Sequence, residues 1–128
     1  MAVTSTFRTP LSGTILVRAS TGQFLQFTLT CVGPQPIFTF TSADQGTLFK
    51  NTDFGGPRTS YQWRHYDRAA DPKGLDVLGL TLSFLINASY DYKVELCDAT
   101  GVISTVLDAT FAGAPTDIQE QDITAVAQ

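Results

Sequence analysis

The sequence predicts an all-β protein, and three observations carry that prediction. Nine Phe, four Tyr and one Trp stand among many Val, Ile and Thr in 128 residues, a set suited to pleated, half-buried surfaces. Three Lys, two Glu and one Met leave few strong helix formers for exposed positions. Apolar residues recur at every second position in short runs separated by Gly, Pro, Asn and Asp, the pattern of strands and turns. A chain of this length builds one domain around one core. Residues 1–128 are therefore read as a single antiparallel β-sandwich.

The elements follow in order. Residues 3–7 form an edge strand, ended by Arg8-Thr9-Pro10, since proline donates no hydrogen bond and suits an edge. Residues 14–19 are a strand and Ser20-Thr21-Gly22 the turn after it. In residues 23–32, Leu25, Phe27, Leu29 and Cys31 face inward while Gln26, Thr28 and Thr30 face out. Gly33-Pro34-Gln35-Pro36 stops that strand, and residues 37–41 follow with Phe38 and Phe40 on one face. Residues 42–57 are the longest irregular stretch, in which Leu48 and Phe49 either tuck a loop down or make a brief strand. Residues 58–67 are a strand and residues 68–74 a polar loop.

Residues 75–111 read as a three-stranded meander. Leu78, Leu80, Leu82, Phe84 and Ile86 alternate; Asn87-Ala88-Ser89 turns the chain; Tyr92, Val94 and Leu96 restart the alternation. Asp98-Ala99-Thr100-Gly101 turns it again, and Ile103, Leu107 and Phe111 share a side of the last run. Gly113-Ala114-Pro115 ends the sheet, which makes residues 114–128 a candidate C-terminal arm.

A net charge of −4 offers no general attraction to phosphate backbones, so nucleic-acid binding is not expected. Without an apolar run of about 20 residues, no membrane span is expected. The opening residues lack the apolar core of a signal peptide, so the expected location is cytoplasmic or virion-associated. Asn87-Ala88-Ser89 matches a glycosylation acceptor, and is read here as a turn. Two cysteines without C-x-x-C spacing argue against a sulfur-ligated metal. Cys31 is in inward phase and Cys97 in outward phase unless a bulge intervenes, which favours free buried thiols and leaves a bridge open.

The spacing of Cys31, Trp63 and Cys97, with Tyr92 in the penultimate strand, resembles an immunoglobulin-type sandwich. The hairpin from Tyr90 to Gly101 is similar to the last hairpin of bacterial immunoglobulin-like and PKD-type repeats. The resemblance implies an Ig-like fold with Trp63 as its core tryptophan. Glu95 stands where that family has a tyrosine two residues before the second cysteine, and residues 32–58 are long for it. A jelly roll is the alternative.

Chemistry-bearing residues gather in Arg58-Thr59-Ser60-Tyr61-Gln62-Trp63-Arg64-His65-Tyr66-Asp67-Arg68. Alternation puts Tyr61, Trp63 and His65 on one face and Gln62, Arg64 and Tyr66 on the other. The first set suits a core. Arg58, Arg64, Tyr66 and Arg68 are the candidate partner- or ligand-binding residues, since Tyr and Arg are enriched at interface hot spots and Arg anchors carboxylates. A lone His with no G-x-S-x-G motif does not make a nucleophilic triad. Asp44, Asp53, Asp67, Asp71 and Asp76 flank the two polar loops, yet match no calcium-loop pattern. No phosphate-cradling glycine loop is present and no cofactor is expected. The expectation is a non-catalytic structural or interaction module, a subunit of a larger assembly such as a virion or appendage, with protein partners including copies of itself. A carbohydrate-binding module, taking a glycan against Tyr66, Arg64 and residues 42–57, is the alternative.

Overall fold

The computed structural model describes residues 8–10, 15–31, 36–55, 58–66 and 74–128. Two sheets pack face to face, as the alternation predicts. The strands are β1 (Arg8–Pro10), β2 (Ile15–Ala19), β3 (Phe24–Cys31), β4 (Ile37–Ser42), β5 (Gly46–Lys50), β6 (Ser60–His65), β7 (Leu75–Ser83), β8 (Ala88–Asp98), β9 (Gly101–Gly113) and β10 (Ile118–Ala127), with a 3-10 turn at Asn51–Phe54. The six-stranded sheet runs β1-β10-β7-β4-β5, with β2 also on β10; the four-stranded sheet runs β6-β3-β8-β9. All pairings are antiparallel except those of β1 and β2 with β10.

Two long hairpins, each bent across both sheets, account for eight of these strands. In the first, β4 pairs with β5 in one sheet while β3 pairs with β6 in the other. In the second, β8 pairs with β9 while β7 pairs with β10. The hairpins join through β4·β7 and β3·β8. Their inner faces carry Leu25, Phe27, Leu29, Phe38, Phe40, Leu78, Leu80, Leu82, Val94 and Phe111, all 1% exposed or less. At about 25 cal/mol per Å² of apolar surface removed from water, this layer is the main stabilising term.

Several expectations are corrected. The meander of residues 75–111 does not form, because β7 belongs to one sheet and β8 and β9 to the other. Phe84 is buried at the crossing, and the chain then turns Leu85 and Ile86 out, 73% and 52% exposed. Ile86 therefore leaves the inward series. Residues 114–128 are no arm: β10 lies between β7 and the N-terminal strands, and the N–H groups of Ala127 and Gln128 donate to Gly74 O and Ala19 O at 2.8 and 2.9 Å. Residues 42–57 hold β5 and the 3-10 turn, with Leu48 and Phe49 packed on the core. Val106 and Ile103 are extra residues of β9 between Leu107/Thr105 and Ser104/Val102, so the bulges free Ile103 from the face shared by Leu107 and Phe111. The edge strand expected at residues 3–7 lies outside the described residues.

Candidate functional site

The strand β6 lies at the edge of the four-stranded sheet, and its alternation sorts the chemistry-bearing run into separate environments. Tyr61 and Trp63 point inward, 2% and 7% exposed. Trp63 is nearly parallel to Phe27 and Phe38, with centroids 5.7 and 5.5 Å away, and edge-on to Phe40 at 5.1 Å. Phe54, brought over by the 3-10 turn, closes the cluster at 5.8 Å. The indole N–H is buried with no hydrogen-bond partner among the described residues and is ringed by aromatic side chains, whose faces accept N–H weakly. Trp63 is a core residue.

The three candidate binding residues that are described, Arg58, Arg64 and Tyr66, do not form one site. Arg58 precedes β6 at one end of the sandwich, where Nε donates to Phe54 O at 2.7 Å. Arg64 lies near the other end, roughly 20 Å away along an extended chain. It is exposed, and its guanidinium carbon sits 4.0 Å from the centroid of the Phe24 ring. Tyr66 corrects the expected outward placement. Its φ of 58° turns the chain out of strand geometry and the ring inward, leaving it 3% exposed, with its hydroxyl donating to Gly74 O at 3.3 Å. It is not available to stack on a sugar. Arg68 lies outside the described residues.

Around Arg64 the outer face of the four-stranded sheet carries two polar rows. The register aligns Arg64, Gln26, Glu95 and Thr105 in one row and Gln62, Thr28, Lys93 and Asp108 in the next. Gln62 Nε2 donates to Thr28 Oγ1 at 3.3 Å, and Lys93 Nζ lies 3.6 Å from Glu95 Oε2. The third row pairs Phe24 with Cys97 and Cys97 with Val102. Cys97 is thus in outward phase and still 3% exposed. Burial raises its thiol pKa, and Glu95 and Asp98 add to the rise while Arg64 opposes it. Cys31 is likewise raised by burial, with Sγ 3.2 Å from Arg58 O. Cys31 pairs with Tyr90 and Cys97 with Phe24, at opposite ends of adjacent strands. Seven residues of extended chain separate them, about 23 Å, against at most about 7 Å between bridged Cα atoms. Both thiols are free. Cys31, Trp63 and Cys97 all belong to one sheet.

At the Arg64 end a second polar group lies between the sheets. Asp76 and Ser42, each 2% exposed, come from β7 and β4. Ser42 Oγ donates to Asp76 Oδ2 at 2.6 Å and accepts the N–H groups of Asp44 and Gln45 at 3.1 and 3.2 Å. Asp44 N–H also faces Asp76 Oδ1 at 3.4 Å. His65 Nε2, from the opposite sheet, is 3.8 Å from Asp76 Oδ2. The residue types are those of a hydrolase triad, but the connectivity differs: the hydroxyl proton goes to the carboxylate and the oxygen is occupied by two backbone donors. The group pins the β4–β5 turn and bridges the sheets. Both residues were legible in principle, since Asp76 leads the inward series Leu78, Leu80, Leu82 and Ser42 continues Phe38, Phe40.

Of the other acids weighed for calcium, Asp53 accepts Lys50 N–H at 2.8 Å in the 3-10 turn, and Asp67 and Asp71 lie outside the described residues. Among the described residues no group of three or more His, Cys, Asp or Glu side chains is placed to hold a metal ion, and no helix is long and apolar enough to cross a membrane. Comparison with protein-family models, with curated proteins and with solved structures finds no match.

Proposed function

We propose that the chain is a non-catalytic structural module that works by contact with protein partners, including copies of itself, within a larger assembly such as a virion or appendage. The observation that carries this reading is where large aliphatic side chains are exposed. Ile37, opposite Ser83, joins Leu85 and Ile86 at one end of the sandwich, at 40%, 73% and 52% exposure. Val102 and Ile103 stand at the other end, at 58% and 46%, and Leu16 of β2 and Leu75 of β7, in the six-stranded sheet, are exposed as well, at 52% and 62%. Apolar groups exposed at several separated places suit a subunit with more than one neighbour. The residues with chemical potential are spent on structure: Trp63 and Tyr66 in the core, Ser42 and Asp76 in the inter-sheet pin. With Tyr66 buried, the aromatic ring beside Arg64 is Phe24, half-buried and covered by the Arg64 guanidinium at 4.0 Å.

On topology, the two bent hairpins support a jelly-roll type of wrapping over the Ig-like type. An Ig domain spans its two sheets with the cysteine pair packed on its tryptophan, whereas here those three residues share a sheet. Light scattering over a wide concentration range tests the function. Species larger than the monomer are expected, and a monomer at every concentration would overturn self-association.

A further inference from the structure

We propose that His65 and Asp76 form a proton-operated clasp between the two sheets, closed when His65 takes up a proton and loosened when it gives the proton up. The clasp is internal to one chain and does not depend on association with a partner. Each side is held by its own strand. His65 ends β6 in the four-stranded sheet, opposite Leu25 of β3 and edge-on to Phe40 of β4 at 6.3 Å. The next residue, Tyr66, reaches Gly74 O just before β7, which ties the end of β6 to the strand that carries Asp76. Both oxygens of Asp76 face donors, Ser42 Oγ at 2.6 Å and Asp44 N–H at 3.4 Å, the arrangement of an ionised carboxylate. Its side chain is 0% exposed, and a buried charge calls for an opposite one.

Among the described residues, the one side chain paired with Asp76 that can carry a positive charge is His65, with Nε2 3.8 Å from Oδ2. That separation is too long for a hydrogen bond from a neutral ring, yet close enough for an imidazolium to offset the carboxylate. Burial opposes the charged ring, but the His65 side chain is still 17% exposed while its partner is fully enclosed, so the opposite charge is the larger effect. Other charges are turned away or distant. Asp44 is exposed in the β4–β5 turn, and Arg64 is in outward phase over Phe24. β4 has no ionisable side chain, β3 has Cys31 at its far end, and β5 has Lys50 at its far end. Asp67, Arg68, Asp71 and Lys73 lie outside the described residues. A proton held more tightly by the folded chain stabilises it fully below about pH 6.5, the ordinary histidine value, and that stability is lost as pH rises through the folded value.

His65 is the only histidine of the chain, and both thiols are raised by burial, so the range from about pH 5.5 to about pH 8 isolates this ring. Urea unfolding of the wild type, His65→Gln and Asp76→Asn at the two ends of that range tests the clasp, with NMR titration of the imidazole in the wild type and Asp76→Asn. Expected for the wild type is an unfolding constant roughly three- to tenfold smaller at the acidic end, a dependence largely lost in both variants. The imidazole of Asp76→Asn is expected to titrate at lower pH than that of the wild type. A wild type equally stable at both ends, or more stable at the alkaline end, overturns the clasp. So does a pH dependence that survives in His65→Gln, or an imidazole titration unchanged in Asp76→Asn.

Discussion

Removing the buried carboxylate of Asp76 is the perturbation with the most determinate outcome. Its Oδ2 accepts the Ser42 hydroxyl at 2.6 Å, in the range of a hydroxyl–carboxylate bond. Ser42 Oγ already accepts two backbone N–H groups, so its proton has no other partner in this geometry. In Asp76→Ala, a bond to a charged group worth about 1.5–3 kcal/mol is lost, and a buried donor is left behind at a further cost of about 1 kcal/mol or more. A total loss of about 3 kcal/mol is expected. Asp76→Asn keeps an acceptor oxygen toward Ser42 and is expected to cost about 1 kcal/mol. Ser42→Ala strands the carboxylate, leaving it Asp44 N–H at 3.4 Å and His65 at 3.8 Å, and is expected to cost about 2 kcal/mol. Because the singles break one shared interaction, the double variant should lose less than their sum, with a coupling of about 1.5 kcal/mol or more. Urea unfolding at neutral pH measures all four proteins. Additive losses, each below about 0.5 kcal/mol, would refute the pin.

Two glycines separate movable from immovable neighbours. A Cβ on Gly113 would lie 2.7 Å from the Phe84 ring, which is 2% exposed, and overpacking of this kind costs about 1–3 kcal/mol. A Cβ on Gly79 would meet Asp122 Oδ1 at 2.7 Å and Thr41 Oγ1 at 3.2 Å, the ends of side chains rather than a buried ring, so Gly79→Ala should cost less than Gly113→Ala. Thermal melts of both variants check the contrast. Stability should also fall on the alkaline side. Burial raises the thiols of Cys31 and Cys97 and the hydroxyls of Tyr61, Tyr90 and, most of all, Tyr92. The unfolded chain releases these protons near pH 8.5 for thiols and about pH 10 for phenols, before the folded chain does. Their contribution is therefore full below those values and lost as pH rises through the folded ones. A melting temperature that stays flat to about pH 11 would contradict this. Finally, Arg64→Ala should cost no more than about 1 kcal/mol by denaturant titration, the scale of an exposed cation–π contact.

Alternation made β2, β3, β4, β6 and β8 legible because their inward positions are filled by apolar residues. It failed for β10, whose inward positions begin with Gln119 and Gln121 before Ile123 and Ala125. Gln121 is 1% exposed, with Nε2 donating to Asp122 O at 3.0 Å, so polar residues fill core positions and erase the period. The division into two sheets was hidden for a different reason. A period of two reports which face of a strand is buried, not which sheet the strand joins, so the run through β7, β8 and β9 looked like one meander. Tyr66 was misplaced because alternation assumes extended backbone, and a non-glycine residue at φ 58° departs from it. Of the candidate site, the exposure of Arg64 was readable from its phase, whereas its seat on Phe24 depends on the pairing of β6 with β3.

The position of β10 changes where partners can be sought. A trailing C-terminal arm would have been a natural means of linking subunits, reaching into a neighbour's sheet. Instead β10 is filled on both sides, by β7 along Ile118–Val126 and by β1 and β2 on the other flank. Releasing it would separate the N-terminal strands from the sheet and uncover Ile123 and Ala125, which are 1% and 0% exposed. Burying even one such aliphatic side chain is worth roughly 1.5–3 kcal/mol, against a typical total of about 5–15 kcal/mol for a domain. Exchange of β10 between chains would therefore cost a substantial fraction of the domain's stability in the open state. Association without unfolding would use surfaces that are already exposed, such as the apolar side chains of Leu85, Ile86, Val102 and Ile103.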